Sequence, residues 1–154
     1  MTSTADEPLP DWTGKVMTVR GPIDPAQLGV TLSHDHLIVD GWGLRQLYDA
    51  ILDDEAIAIE EMKRYRAAGG GAVCDPTNIG LGRNPGALRR ISEESDVHVV
   101  MGAAWYREVV YPDYIVEELP DALADRVVAE FVDGVDGSGI RPGFIGEIGT
   151  ERGH

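Results

Sequence analysis

Two histidines that lie two residues apart, His34 and His36, are the residues in this sequence with the clearest capacity for chemistry. They follow an apolar run, residues 28–33, that is typical of a buried strand. Residues i and i+2 of a strand point to the same face, so two imidazoles at this spacing can reach one metal ion. Spacing alone leaves a second interpretation equally open, in which one histidine is a satisfied core residue and the other is exposed.

A single carboxylate stands out in another strand-like stretch, residues 143–149. Glu147 interrupts this apolar and glycine-rich run, seven residues before the sequence ends at His154. On the residues alone, a surface acid in a salt bridge is the commoner role for such a glutamate. A carboxylate is also a ligand for zinc. Combined with the histidine pair, Glu147 suggests a metallohydrolase that is cut short.

The composition limits the possible classes of protein. The 154 residues are 43% apolar, enough for one modest core, and 13 basic against 27 acidic residues give a net charge of −14. That charge disfavours nucleic acid and anionic membranes as partners. No apolar run approaches the roughly 20 residues that span a bilayer, and no signal peptide is evident. With Cys74 as the single cysteine, we expect a soluble protein in the reducing cytoplasm.

Strand-like and helix-like segments alternate along the chain. Residues 1–15 are expected to be a loose N-terminal segment and residues 16–154 one incomplete domain. Helices are favoured by the cap residues Asp53 or Asp54 and Asn84, the latter followed by proline. The strands are predicted at 28–33, 71–75, 97–101 and 144–148, and the helices at 54–68, 84–95 and 122–132.

Two α/β architectures fit four strands separated by helices: an open doubly wound sheet and the first half of a (β/α)8 TIM barrel. A nucleotide-binding open sheet should carry a glycine fingerprint after its first strand, where this chain has His-Asp-His. We therefore favour the barrel. A complete barrel needs roughly 250 residues, so about four of its eight strand-helix units are present. The open sheet edge must then be covered by another chain or by a missing segment.

Four motifs in order resemble the phosphotriesterase-like proteins of the amidohydrolase superfamily. The resemblance extends over about residues 16–154. In that family, a metal-binding His-x-His ends the first barrel strand, as His34 and His36 do here. The four motifs are residues 18–37, 75–83, 99–106 and 144–150.

The resemblance implies a site with two divalent metal ions, expected to be zinc. His34 and His36 would bind the more buried ion, and Glu147 would bridge both, where some members use a carboxylated lysine. The metal-activated water would attack a phosphotriester, a lactone or another carboxyl ester. The family's two later histidine ligands and its late aspartate have no counterpart in this chain, so no catalytic residue is assigned. His154 is interpreted as an exposed loop residue and not as a substitute.

Other residues carry weaker signals. Trp105 and Tyr106 follow the third strand on the expected catalytic side, where they could line a substrate pocket or simply pack a loop. We interpret four further residues as structural. Cys74 and His98 lie within predicted strands, and Asp75 and Arg83 are expected to stabilise the loop that follows the second strand.

The sequence leaves two functions to compare. The first is a phosphotriesterase-like hydrolase acting on a small-molecule ester or lactone, with homodimerisation of the full-length protein left open. The second is a truncated, catalytically silent product that binds at most one metal ion or serves as an assembly partner. We expect no activity from these 154 residues without the rest of the barrel.

Overall fold

The computed structural model describes residues 11–149, so most of the expected loose segment and His154 lie outside the described residues. Eight short strands and five helices are found within that range. The strands are β1 Val16–Thr18, β2 Gly21–Ile23, β3 Val30–Leu32, β4 Val39–Asp40, β5 Ile51–Leu52, β6 Gly70–Asp75, β7 His98–Ala103 and β8 Phe144–Ile145. The helices are α1 Trp42–Arg45, α2 Glu55–Ala67, α3 Pro85–Ser95, α4 Tyr114–Glu117 and α5 Pro120–Asp133.

A parallel sheet of four strands forms the centre of the fold, in the order β3-β6-β7-β8. Strand order therefore follows chain order, with α2, α3 and α5 on the connections. A doubly wound sheet would reverse its order beside the first strand, whereas a barrel does not. The arrangement confirms the prediction of about half a (β/α)8 barrel.

The main core lies between the sheet and helices α2 and α3. Asp54 caps α2 by accepting a hydrogen bond from the Ile57 amide, and Asn84 caps α3 by accepting one from the Ala87 amide. Both caps were predicted, because a side-chain oxygen satisfies an amide that the first helical turn leaves free. The buried apolar side chains include Ile59, Met62, Val73, Leu88, Ile91, Val99 and Met101.

The boundaries of three elements differ from the prediction. Helix α5 begins at Pro120, which was expected to precede the helix; proline suits the first turn because its fixed φ is helical and its missing N–H is not needed there. Strands β3 and β8 are shorter than the apolar runs that contain them. His34 and Glu147 therefore each lie two residues beyond a strand.

Two antiparallel pairs flank the main sheet. The hairpin β1–β2 packs beside β7, and the Val19 amide donates a hydrogen bond to the Val99 carbonyl at 2.9 Å. The pair β4–β5 lies outside the strands predicted from the sequence, since strands of two residues are too short to show a period of two. Among residues 11–149, no helix is both long and apolar enough to cross a membrane.

Candidate metal centre

Three side chains with metal-binding chemistry converge at the carboxyl ends of β3 and β8. One ligand atom from each of His34, His36 and Glu147 lies within 4.8 Å of the other two. No other group of three or more His, Cys, Asp or Glu side chains has this spacing among the described residues. The two elements are the outer strands of the four-stranded sheet, so the sheet must curl to bring these side chains together.

The distance of the Glu147 oxygen from each imidazole suits a single tetrahedral ion. Oε2 of Glu147 lies 3.4 Å from Nε2 of His34 and 3.6 Å from Nε2 of His36. Two ligands at zinc bond lengths of about 2.0–2.1 Å and a tetrahedral angle lie roughly 3.3 Å apart. Two imidazoles and one carboxylate are also a donor set of catalytic zinc sites, which leave a fourth position open.

The carboxylate atom between the histidines lacks a hydrogen bond. Oε2 of Glu147 is buried and has no hydrogen-bond partner, which is unusual because buried polar atoms are nearly always paired. His34 is 59% exposed at its side chain, whereas His36 and Glu147 are 27% and 23% exposed. The site is thus open to solvent on the His34 side, and its inner oxygen is placed where a cation would satisfy it.

A buried polar segment at the end of β6 supports the site, a role that its sequence pattern did not indicate. The Thr77 hydroxyl oxygen lies 2.8 Å from Nδ1 of His36, and the Asn78 side-chain amide donates to the Glu147 carbonyl at 3.0 Å. Burial raises the pKa of Asp75, against hydrogen bonds from Thr77 and Leu37 that lower it. Polar residues immediately beyond a buried strand were the available signal.

Tyr106 reaches the site, whereas Trp105 lies beside it. The Tyr106 side chain lies in the same cavity as the Glu147 carboxylate. Burial raises the pKa of Tyr106, and the neighbouring carboxylate raises it further. Tyr106, Glu147 and His36 line a cavity of about 160 Å³, and Trp105 is not among the residues that line it. Trp105 instead pairs with Ile79 through a backbone bridge.

Three residues interpreted as structural have contacts that agree with that role. Cys74 is partly buried in β6, and burial raises the pKa of its thiol, which disfavours the reactive thiolate. His98 has a partner that the sequence did not reveal: the Arg20 guanidinium donates to its Nδ1 at 3.0 Å. Arg83 is buried and pairs with both carboxylate oxygens of Glu130 at 3.1 and 2.6 Å.

Comparison with known proteins places most of the chain in one group. The sequence model of the phosphotriesterase family matches residues 14–154. N-acetyltaurine hydrolase from Tetraodon nigroviridis is 34% identical over 168 residues, covering 90% of this chain and 48% of that protein. The chain therefore spans about half the length of the curated relatives it matches.

Solved structures have the same architecture. A resiniferatoxin-binding protein from Rhodobacter sphaeroides aligns with a TM-score of 0.81 and 36% identity, over 87% of this chain and 46% of its own. A lactonase from Listeria monocytogenes aligns with a TM-score of 0.77 and 25% identity, over 83% of this chain and 45% of its own. In each case the similarity covers nearly all of this chain and less than half of the other.

Proposed function

The chain belongs to the phosphotriesterase family, and from that premise we propose that it supplies the first half of a metal-dependent hydrolase site. In this proposal, His34, His36 and Glu147 hold one divalent cation, with zinc the expected metal. The observation that carries it is the buried, unpartnered Oε2 of Glu147 between the two imidazole Nε2 atoms. A buried polar atom without a partner costs free energy that a bound cation would offset.

The ligand set fits hydrolysis of small-molecule esters, and the same chemistry applies to an amide such as N-acetyltaurine. A bound divalent cation polarises the bond under attack and makes water acidic enough to act as a nucleophile near neutral pH. Tyr106 lines the same cavity as Glu147 and is placed to contact a bound substrate. The apolar cavity walls next to Glu147, which include Val39, Leu44 and Leu81, would exclude water from the acyl part of a substrate.

The substrate proposal takes its candidates from the relatives. Two of the similar proteins are an N-acetyltaurine hydrolase and a lactonase. Among the lining residues of the small cavity, Arg45 carries the positive charge, which favours a substrate with an anionic end. We therefore propose N-acetyltaurine as the first compound to assay, followed by lactones and phosphotriesters.

A two-metal site would need more metal ligands than residues 11–149 provide. Three ligands suffice for one tetrahedral ion with an open position, and no second trio is present in the described region. The family resemblance implies that Glu147 bridges a second ion. We propose that residues from beyond this half-barrel, or from another chain, complete that second site.

A catalytically silent product that binds one metal ion is the second candidate, because the unpartnered Oε2 of Glu147 favours metal binding whether or not hydrolysis follows. A half-barrel with ligands for one ion could bind that ion without catalysing hydrolysis, and could act through assembly with another chain. We expect the 154 residues alone to bind zinc and to leave all three substrate classes intact. Hydrolysis by the zinc-loaded chain that is lost in His36→Ala would contradict the hypothesis of a catalytically silent product.

The direct experiment is a calorimetric zinc titration of the metal-free chain. We expect one ion per chain. Zinc binding should be lost in His36→Ala, because only two of the three protein ligands then remain. His98→Ala is the matched control, since His98 contacts Arg20 and not the trio. Equal zinc affinity in wild type and His36→Ala would overturn the proposal.

Three further expectations stay proposals. The family match over residues 14–154 supports a single unit from about residue 16 onwards. The single cysteine supports a cytoplasmic location. Homodimerisation of the full-length protein is a further hypothesis, which a measurement of its molecular mass in solution tests.

A further inference from the structure

One short segment, residues 75–78, begins with the last residue of β6 and is fully buried. Asp75, Thr77 and Asn78 each have 0% of their surface exposed, and Pro76 is buried with them. Three polar side chains within four residues are costly to bury unless each makes hydrogen bonds. Their bonds run to His36, to its neighbour Leu37 and to Glu147, which follow two different strands.

Thr77 contacts the imidazole of His36 on the side away from Glu147. Its Oγ1 lies 2.8 Å from Nδ1, whereas Nε2 of the same ring faces Oε2 of Glu147 at 3.6 Å. If Nε2 binds a cation, Nδ1 carries the ring proton and donates it to the threonine oxygen. Such a bond fixes both the tautomer and the plane of a ligand imidazole.

The flanking residues hold the backbone on both sides of the site. Asp75 accepts hydrogen bonds from the amide of Leu37, next to His36, at 2.9 Å and from the amide of Thr77 at 2.8 Å. Asn78 donates to the carbonyl of Glu147 at 3.0 Å. A single rigid segment thus joins the carboxyl end of β3 to the residues after β8.

We infer that residues 75–78 are the positioning element of the metal centre and that Thr77 is the positioning residue of His36. The inference rests on the proposed function and extends it, since it assigns the orientation of the metal ligands to residues that do not touch the ion. Removal of the threonine hydroxyl frees the imidazole to rotate and leaves its Nδ1 without a buried partner.

The test compares three variants by zinc titration of the 154-residue chain. Thr77→Val keeps the shape and removes the hydroxyl, and we expect zinc affinity to fall roughly 10–100-fold. Thr77→Ser restores the hydroxyl and should return the affinity to near the wild-type value. Thr18→Val is the matched control, since Thr18 is equally buried at 1% and bonds to Gly21 in the distant hairpin.

The outcomes separate the two claims. If wild type binds no zinc, the proposed function fails and the inference fails with it. If wild type binds zinc and Thr77→Val binds it equally well, the inference alone is overturned. If Thr77→Val does not fold, NMR of the zinc-loaded wild type decides: a slowly exchanging Nδ1 proton on His36 is expected, and rapid exchange with solvent would contradict the role of Thr77.

Discussion

Glu147 carries the central interaction at the scale of single residues. Its Oε2 faces two imidazole nitrogens, and its backbone carbonyl accepts a hydrogen bond from Asn78. The types and spacing of His34 and His36 pointed to metal chemistry because both are local features of the sequence, although the structure places both residues beyond the end of β3. Thr77 could not be found in that way, because its contact with His36 spans 41 positions and depends on the fold.

His98 allows a test of how stability depends on pH that does not involve the proposed metal ligands. Burial, with help from the Arg20 guanidinium and against the charge of Asp96, lowers the pKa of His98 below its ordinary value of 6.5. The unfolded chain therefore binds more protons than the folded chain in the window below that value. Stability should fall as pH drops through about 6.5 toward the folded-state pKa.

We expect His98→Gln to lose less stability than wild type over that window. Glutamine does not titrate there, and its carbonyl can still accept the bond from Arg20. Urea denaturation of the metal-free proteins at about pH 7.5 and about pH 5.5 measures the difference. An identical loss in both proteins would show that His98 is protonated equally in the folded and unfolded states.

At the scale of elements, the strand-helix alternation was predictable and the closing contacts were not. Apolar runs and caps located β6, β7, α2 and α3, because those signals lie within each segment. The anchoring of the loop after β6 required the structure. Arg83 in that loop reaches Glu130 on α5, 47 residues away, and Glu130 also accepts the amide of Ala104.

Arg83→Met should destabilise the fold substantially. The Arg83 side chain is 1% exposed and its Glu130 partner 15%, so the variant leaves a carboxylate largely buried beside an apolar side chain. Breaking a buried pair in this way costs about 3–5 kcal/mol. Chemical denaturation monitored by circular dichroism measures the free energy of unfolding.

Arg89→Met is the control for that experiment. Arg89 pairs with Glu93 on the surface of α3, and the two side chains are 52% and 49% exposed. Such pairs contribute less than about 1 kcal/mol. A loss no larger in Arg83→Met than in Arg89→Met would mean that the buried pair does not hold the loop after β6.

At the scale of the whole molecule, the described sheet ends in two edge strands. Each of β3 and β8 pairs on one side only within residues 11–149. Val30 on β3 is 65% exposed and Ile145 on β8 is 57% exposed. An exposed apolar edge favours association with another chain, although the net charge of −14 opposes it.

We expect the 154-residue chain to self-associate through these edges in physiological salt. Light scattering after size exclusion should give a mass above that of one chain, falling toward one chain in Val30→Lys, because a charged edge residue blocks strand pairing. Val116→Lys is the control, since Val116 is 75% exposed on α4 and away from the sheet edge. A monomer at every concentration would contradict this expectation.

The most direct test of the metal site is anomalous diffraction at the zinc edge from crystals of the zinc-loaded chain. We predict one strong peak within about 2.0–2.2 Å of Nε2 of His34, Nε2 of His36 and the Glu147 carboxylate. The same peak should be absent from crystals of Glu147→Gln. A zinc peak at other residues, or none near this trio in a fully loaded crystal, would contradict the proposed metal site.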